Sequence, residues 1–258
     1  SDQSSVTVVL RNLNKLAKII RAERMAAGAL ELASHEMRFE LDSETQDPTD
    51  VAEYQLRDTN KMIEELMLLA NRSVAAKILD SFPMFGVLRR HPPPKDEQLK
   101  TLQKLLSKHG FDDFKMGSNK ELGDSLCRAV KPDDPYFNQL VRIMTTRCMN
   151  QATYFCTGEV QPELYFHYGL AMKLYTHFTS PIRRYADVLV HRLLAASLGI
   201  APLPEQLQAK PVIADQCEKI NVKHRMAQMA GRASSDLHTY MYFSNKGAKS
   251  DEAVVMRV

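Results

Sequence analysis

A chain of 258 residues, 44% hydrophobic and 25% charged with a net charge of +3, can bury one large core or two smaller ones. Its four cysteines form no Cys-x-x-Cys pair and its eight histidines are scattered, which argues against a zinc site or disulfide framework and for reduced thiols, mostly in the core. So small a charge does not by itself announce a nucleic-acid binder, no apolar run approaches the ~20 residues of a bilayer span, and Ser1-Asp2-Gln3-Ser4-Ser5 has no signal pattern; an intracellular protein without a membrane partner is expected.

The first pattern predicts a helix over 9–27, with Leu13, Leu16, Ala17 and Ile20 on one side and a basic row of Arg11, Lys15 and Lys18 on another. Met37, Phe39 and Leu41 alternate with charged residues, and after a polar turn over 42–50 Ala52, Tyr54 and Leu56 alternate again, which predicts an antiparallel pair. A strong helix follows over 59–79, capped by Asp58 or Thr59, with Ile63, Leu66, Met67, Ala70, Val74 and Ile78 inward. Glu64 and Asn71 fall two turns apart on a neighbouring stripe. They would suit the polar wall of a cleft; alternatively Glu64 is simply exposed and Asn71 satisfies a nearby backbone group.

Phe82-Pro83 ends that helix, 91–95 is a proline-stiffened connector, and short packing helices are predicted over 96–109, 119–130 and 135–150. Segments 152–156 and 163–168 look like a hairpin turning at Thr157-Gly158. A long helix over 212–242 carries Cys217, Ile220, Met226, Met229, Leu237 and Met241 on its apolar side. Residues 252–258 look like a strand cut short, so 1–250 is read as one domain and 251–258 as the start of another, within a longer protein. The fold class is α+β, predominantly helical with small antiparallel strand pairs.

One stretch stands apart: Tyr175-Thr176-His177-Phe178-Thr179-Ser180-Pro181-Ile182-Arg183-Arg184-Tyr185-Ala186-Asp187. Thr179 or Ser180 would cap a helix beginning at Pro181, with Ile182, Tyr185, Ala186, Leu189 and Leu193 buried and Gly199 ending it. Arg183 and Arg184 would then occupy the first turn, where the helix dipole already favours anions. Either Asp187 forms a local ion pair there, or one arginine pairs with Asp187 while the other binds a phosphate. There is no Gly-rich phosphate loop, G-x-S-x-G elbow or H-E-x-x-H pair.

Together with His167-Tyr168-Gly169-Leu170 and His191-Arg192-Leu193-Leu194, that stretch resembles the signature of the ribonuclease II (RNB) family. Gly28-Ala29-Leu30, Glu64-Glu65 with Leu69-Ala70-Asn71, Arg147-Cys148-Met149 and His224-Arg225-Met226-Ala227-Gln228 match in the family's order, and the eukaryotic exosome-associated branch is most similar. The resemblance implies processive 3′→5′ hydrolysis of single-stranded RNA to nucleoside 5′-monophosphates with Mg2+, in the nucleus or cytoplasm, and with the exosome core as partner. The family's aspartate cluster is missing from these residues, so the chain resembles the second half of an RNB domain, with the metal ligands outside it. By the same resemblance Arg183 is catalytic, Asp187 supports it, and Glu64, which contacts a ribose 2′-hydroxyl, joins Asn71, Tyr175, His177 and Arg184 in holding RNA. The competing expectation is an RNB-like protein that only binds RNA or scaffolds the exosome.

Overall fold

A computed structural model describes residues 5–32, 37–53, 56–246 and 250. The expected further domain at 251–258 lies outside them, as does Tyr54. The chain is 61% helical with two small antiparallel strand pairs, and it divides into two compact units, Ser1–Leu32 with Arg57–Asn221, and Ala33–Leu56 with Val222–Val258.

The larger unit opens with α1 (Ser5–Ala26), which packs along α2 (Asp58–Ser81). Only Ala17 of α1 is buried, and Leu16, expected inside, is exposed. On α2 the buried side is Met62, Glu65, Leu68, Asn71, Val74, Ala75 and Ile78, whereas Ile63, expected inside, is half exposed. The burial stripe is rotated from the apolar pattern because Glu65 and Asn71 find partners inside the protein, as described below.

Behind α2, β3 (Val87–Arg90) pairs antiparallel with β4 (Thr153–Cys156), Arg89 opposite Tyr154. The hairpin expected between 152–156 and 163–168 does not form. Pro162 cannot donate to a ladder and instead opens a turn of 3-10 helix, Pro162–Leu164. The strand that takes its place lies between the helix break at Phe82-Pro83 and the 91–95 connector, where no element is predicted, its partner more than sixty residues away. Asn221 fixes β4 from the other side: its side chain accepts from the Tyr154 N–H and donates to the Tyr154 carbonyl, both at 2.8 Å.

Val74, Ile78, Val87, Cys156, Ala186, Leu189, Val190, Leu193, Ile213 and Cys217 form the core between α2, the β3–β4 pair, α6 (Tyr185–Ser197) and the first turns of α7 (Lys210–Lys246). A second core joins α3 (Asp96–Lys108), α4 (Asn119–Arg128) and α5 (Phe137–Cys148) through Leu99, Leu102, Leu106, Leu122, Leu126 and Val141. Three cysteines are buried and Cys127 is exposed, all of them free thiols. Burial pushes the Cys217 thiol up to about 12.

The smaller unit contains the hairpin of β1 (Met37–Leu41) and β2 (Pro48–Glu53) and the remainder of α7. The Asp42 carboxylate closes the turn by accepting the Glu44 and Thr45 N–H groups, which lowers its pKa. β2 stops before Leu56, which is exposed. Met226, Met229 and Leu237, expected on a buried side of α7, are more than half exposed. Among the described residues no helix is long and apolar enough to cross a membrane.

Candidate active site

The signature segment has little regular structure, yet protein partners hold it at nearly every residue. The Tyr175 carbonyl accepts the Arg89 N–H at 2.8 Å, and the Thr176 hydroxyl donates to the Val87 carbonyl at 2.8 Å, so the segment runs alongside β3. Asn71 reaches across from α2: Nδ2 donates to the Tyr175 hydroxyl at 3.1 Å and Oδ1 accepts the Phe178 N–H at 2.9 Å. His191 of α6 stacks on the Phe178 ring, with centroids 4.4 Å apart, and its Nε2 bonds the Phe178 carbonyl. The Ser180 N–H ends on Asp187 Oδ1 at 2.7 Å.

Past Ser180 the expected helix start is corrected. Pro181, Ile182 and Arg183 form a turn in which the Arg183 and Arg184 N–H groups both reach the Ser180 carbonyl. Arg184 is the residue before α6, and Tyr185 begins the helix. The first turn therefore carries Asp187, in accord with the dipole, and neither arginine. Ile182 is 97% exposed and Tyr185 is also exposed, because the turn projects from the surface instead of packing beneath a helix. The expected C-terminus holds: Gly199 has φ 69° and closes a Schellman motif, with Ile200 N–H on the Ala195 carbonyl.

This turn separates the two arginines. Asp187, fully buried, takes Arg184 in a two-pronged pair, Nε to Oδ2 and Nη2 to Oδ1, each 2.8 Å. Arg183 stands exposed at the tip, and its guanidinium has no hydrogen bond or ion pair to any described residue.

Beside the turn lies a cleft of about 400 Å³, walled by Thr59, Asn60, Ile63, Glu64, Met67, Leu68 and Asn71 of α2 and, opposite, by Tyr175 and Arg184. Glu64 is half exposed into it, while its neighbour Glu65 is buried against α1: Arg24 meets Glu65 at 2.5 and 3.1 Å, and Arg21 lies 3.3 Å away. The same arginines stand 3.7 and 3.8 Å from Glu64, so Glu64 faces the cleft with cations at its back.

Of the expected RNA contacts, Glu64 and Arg184 line the cleft with polar atoms, although Arg184 is committed to Asp187. Asn71 and Tyr175 line it too, but both are buried and bonded to each other. They set the shape of the wall and offer little free surface. His177 is partly buried, Nδ1 on the Tyr154 hydroxyl and its ring edge-on to Tyr154 and Tyr175. Burial raises the pKa of both tyrosines, so both hydroxyls remain neutral. Sequence reasoning missed Glu65, Arg24 and Arg89. The only signal for Glu65 was its place beside Glu64, since nothing local says that α1 supplies the counter-charge.

The separate signature segments also converge. Leu30 N–H bonds the Gly169 carbonyl at 2.9 Å, and Gly28 (φ 99°) lies so near Lys120 that a Cβ would sit 2.7 Å from its backbone nitrogen. A model of the RNB domain matches residues 1–200. The chain belongs to the RNB domain family. This RNB chain is 52% identical over 251 residues to the exosome complex exonuclease RRP44 homolog A of Arabidopsis thaliana, covering 97% of the chain and 27% of that relative's length. Its fold matches RNase R of Mycoplasma genitalium, solved with ribose-methylated single-stranded RNA, at a TM-score of 0.82 and 25% identity over 96% of this chain and 38% of that one. It also matches yeast Ssd1, described as a pseudonuclease, at a TM-score of 0.61 and 26% identity over 82% of this chain and 26% of that one.

RNB exoribonucleases are generally dependent on a divalent metal. Among the described residues no group of three or more His, Cys, Asp or Glu side chains could hold one. The acids of the cleft are not suited to binding it, because Asp187 and Glu65 are buried in arginine pairs and Glu64 faces the cleft alone.

Proposed function

We propose that this chain is part of a processive 3′→5′ exoribonuclease that hydrolyses single-stranded RNA to nucleoside 5′-monophosphates, and that it supplies the RNA-gripping portion and the catalytic arginine. Magnesium is the proposed cofactor, with its ligands outside these 258 residues. The exosome core is the proposed partner, in the nucleus, the cytoplasm or both.

One observation carries this reading: Arg183 is an exposed guanidinium, without a partner among the described residues, on a turn whose base is fixed by the buried Ser180–Asp187–Arg184 network. Hydrolysis of a phosphodiester gathers negative charge on the phosphoryl oxygens, and a donor already in position stabilises that charge without reorganising. Asp187 holds Arg184, Arg184 and the Ser180 carbonyl hold the turn, and Arg183 is left for the substrate. Glu64 accepts from a ribose 2′-hydroxyl across the cleft, which selects RNA over DNA, while Ile63, Met67 and Leu68 offer an apolar surface to the sugar.

The test is Arg183→Ala in the full-length protein. Turnover of single-stranded RNA is expected to fall by about 10²–10³-fold, as when one transition-state donor is lost, with thermal unfolding unchanged and RNA still bound. Unchanged turnover refutes the catalytic role. RNA binding without turnover by the unaltered full-length protein would instead select the non-catalytic reading.

A further inference from the structure

A buried guanidinium is ordinarily matched by a carboxylate, because removing its charge from water costs more than most single contacts return. Arg89 has no such match. On β3 it is only 8% exposed, its Nη1 is enclosed without a hydrogen-bond partner, and no described carboxylate pairs with it. It lies over the Tyr154 ring, 4.6 Å from the centroid, a cation–π contact that offsets part of the cost.

Its surroundings add to the excess. Burial lowers the Arg89 pKa; Tyr154 and Tyr175 oppose that, the former also through a side-chain hydrogen bond, while the neighbouring Arg184 charge adds to it, yet an arginine stays protonated in a protein. Asp187 is the acid of this neighbourhood, and its oxygens are taken by Arg184 and the Ser180 N–H. The neighbourhood thus holds two guanidiniums and one carboxylate, which is taken by Arg184. Arg89 does not itself line the cleft, but its backbone N–H bonds the Tyr175 carbonyl at 2.8 Å and its charge interacts with Arg184, and both of these neighbours line it.

We propose that Arg89 is a recessed anion contact at the base of the cleft, whose missing counter-charge is a phosphodiester of the bound RNA. This rests on the RNA-binding reading given above. Arg183 acts from the rim on the reacting phosphate, and Arg89 acts from below as a binding and positioning residue.

The proposal fixes a sign that a structural arginine would not give. Removing an uncompensated charge leaves the free protein equally or more stable, while RNA binding weakens. The experiment compares full-length wild type with Arg89→Met and Arg89→Lys, measuring Tm, and the Kd for a single-stranded RNA oligonucleotide across a salt series in EDTA. For Arg89→Met a Kd raised about tenfold or more is expected, the slope of log K against log salt falling by about one and Tm unchanged or higher; Arg89→Lys keeps the slope and regains part of the affinity. A lower Tm for Arg89→Met overturns the proposal, because Arg89 then pairs with a group of the protein. Unchanged Kd and salt slope overturn it as well. If wild type binds no RNA, the RNA-binding reading itself fails and takes this proposal with it.

Discussion

The rim of the cleft and the layer beneath it use the same residue types for opposite ends. At the rim, Glu64 and Arg183 keep their charges open to solvent. One residue along the chain in each case, Glu65 and Arg184 spend theirs inside, on Arg24 and Asp187. Adjacent identical groups therefore play different roles, because each turn of backbone sends one outward and the next inward. Exposed charges contribute little to stability, since water screens them; buried pairs contribute little relative to an apolar core but are costly to break. Loss of a rim residue should read out in RNA, and loss of a buried one in folding.

The largest effect that would sharpen this contrast is Asp187→Ala. It strands the Arg184 guanidinium and the Ser180 N–H, and should destabilise the protein by about 3–5 kcal/mol, the usual cost of orphaning a buried ion. Denaturant unfolding measures it, and a loss under about 1 kcal/mol would place Asp187 with the rim.

Next comes the glutamate pair. Glu65→Ala should cost about 2–4 kcal/mol, because the buried Arg24 is left with the more distant Glu64, while Arg21 keeps Glu31 at 2.7 Å. Glu64→Ala should leave stability within about 0.5 kcal/mol and weaken RNA binding more than binding of the matching DNA strand. Equal losses for both strands would remove the 2′-hydroxyl assignment.

The distinction between layers was only partly legible in the sequence. The helices over 96–109 and 119–130 end within two residues of the observed ones, since amphipathic spacing and capping are local. The signature segment supplies Tyr175 and Arg184 to the cleft wall. What failed depended on distant partners. A buried Glu65 contradicts any apolar stripe until Arg24, 41 residues earlier, is known to face it. Val87–Arg90 belongs to no predicted element until Thr153–Cys156 pairs with it. Ile182 completes a helical pattern that the chain takes up only from Tyr185, because the Ser180 carbonyl draws both arginine N–H groups into a turn first.

A last prediction concerns pH. His167 is buried between His91 and Tyr175, rings 5.1 and 5.2 Å away, and burial holds its pKa down to about 3. Below the ordinary value of 6.5 the unfolded chain takes up a proton that the folded one refuses. Stability therefore falls as pH drops from 6.5 towards 3, by at most about 1.4 kcal/mol per unit from this residue, and is unaffected by it above that range. His91, also lowered by burial, adds in the same direction. Denaturant midpoints at about pH 7 and about pH 5, either side of the ordinary histidine value, should converge for His167→Gln relative to wild type; parallel losses would show that His167 titrates alike in both states.

The Asn71 side chain has one more consequence, for the order of assembly. Its two hydrogen bonds join residues 104 and 107 positions apart, and Thr176 to Val87 spans 89. Contacts that close such long loops form late, after helices such as α2 and α6 have their local bonds. The cleft is thus expected among the last parts of this unit to form, and Asn71→Ala should yield a chain that keeps its helices while loosening the Tyr175 side of the cleft wall.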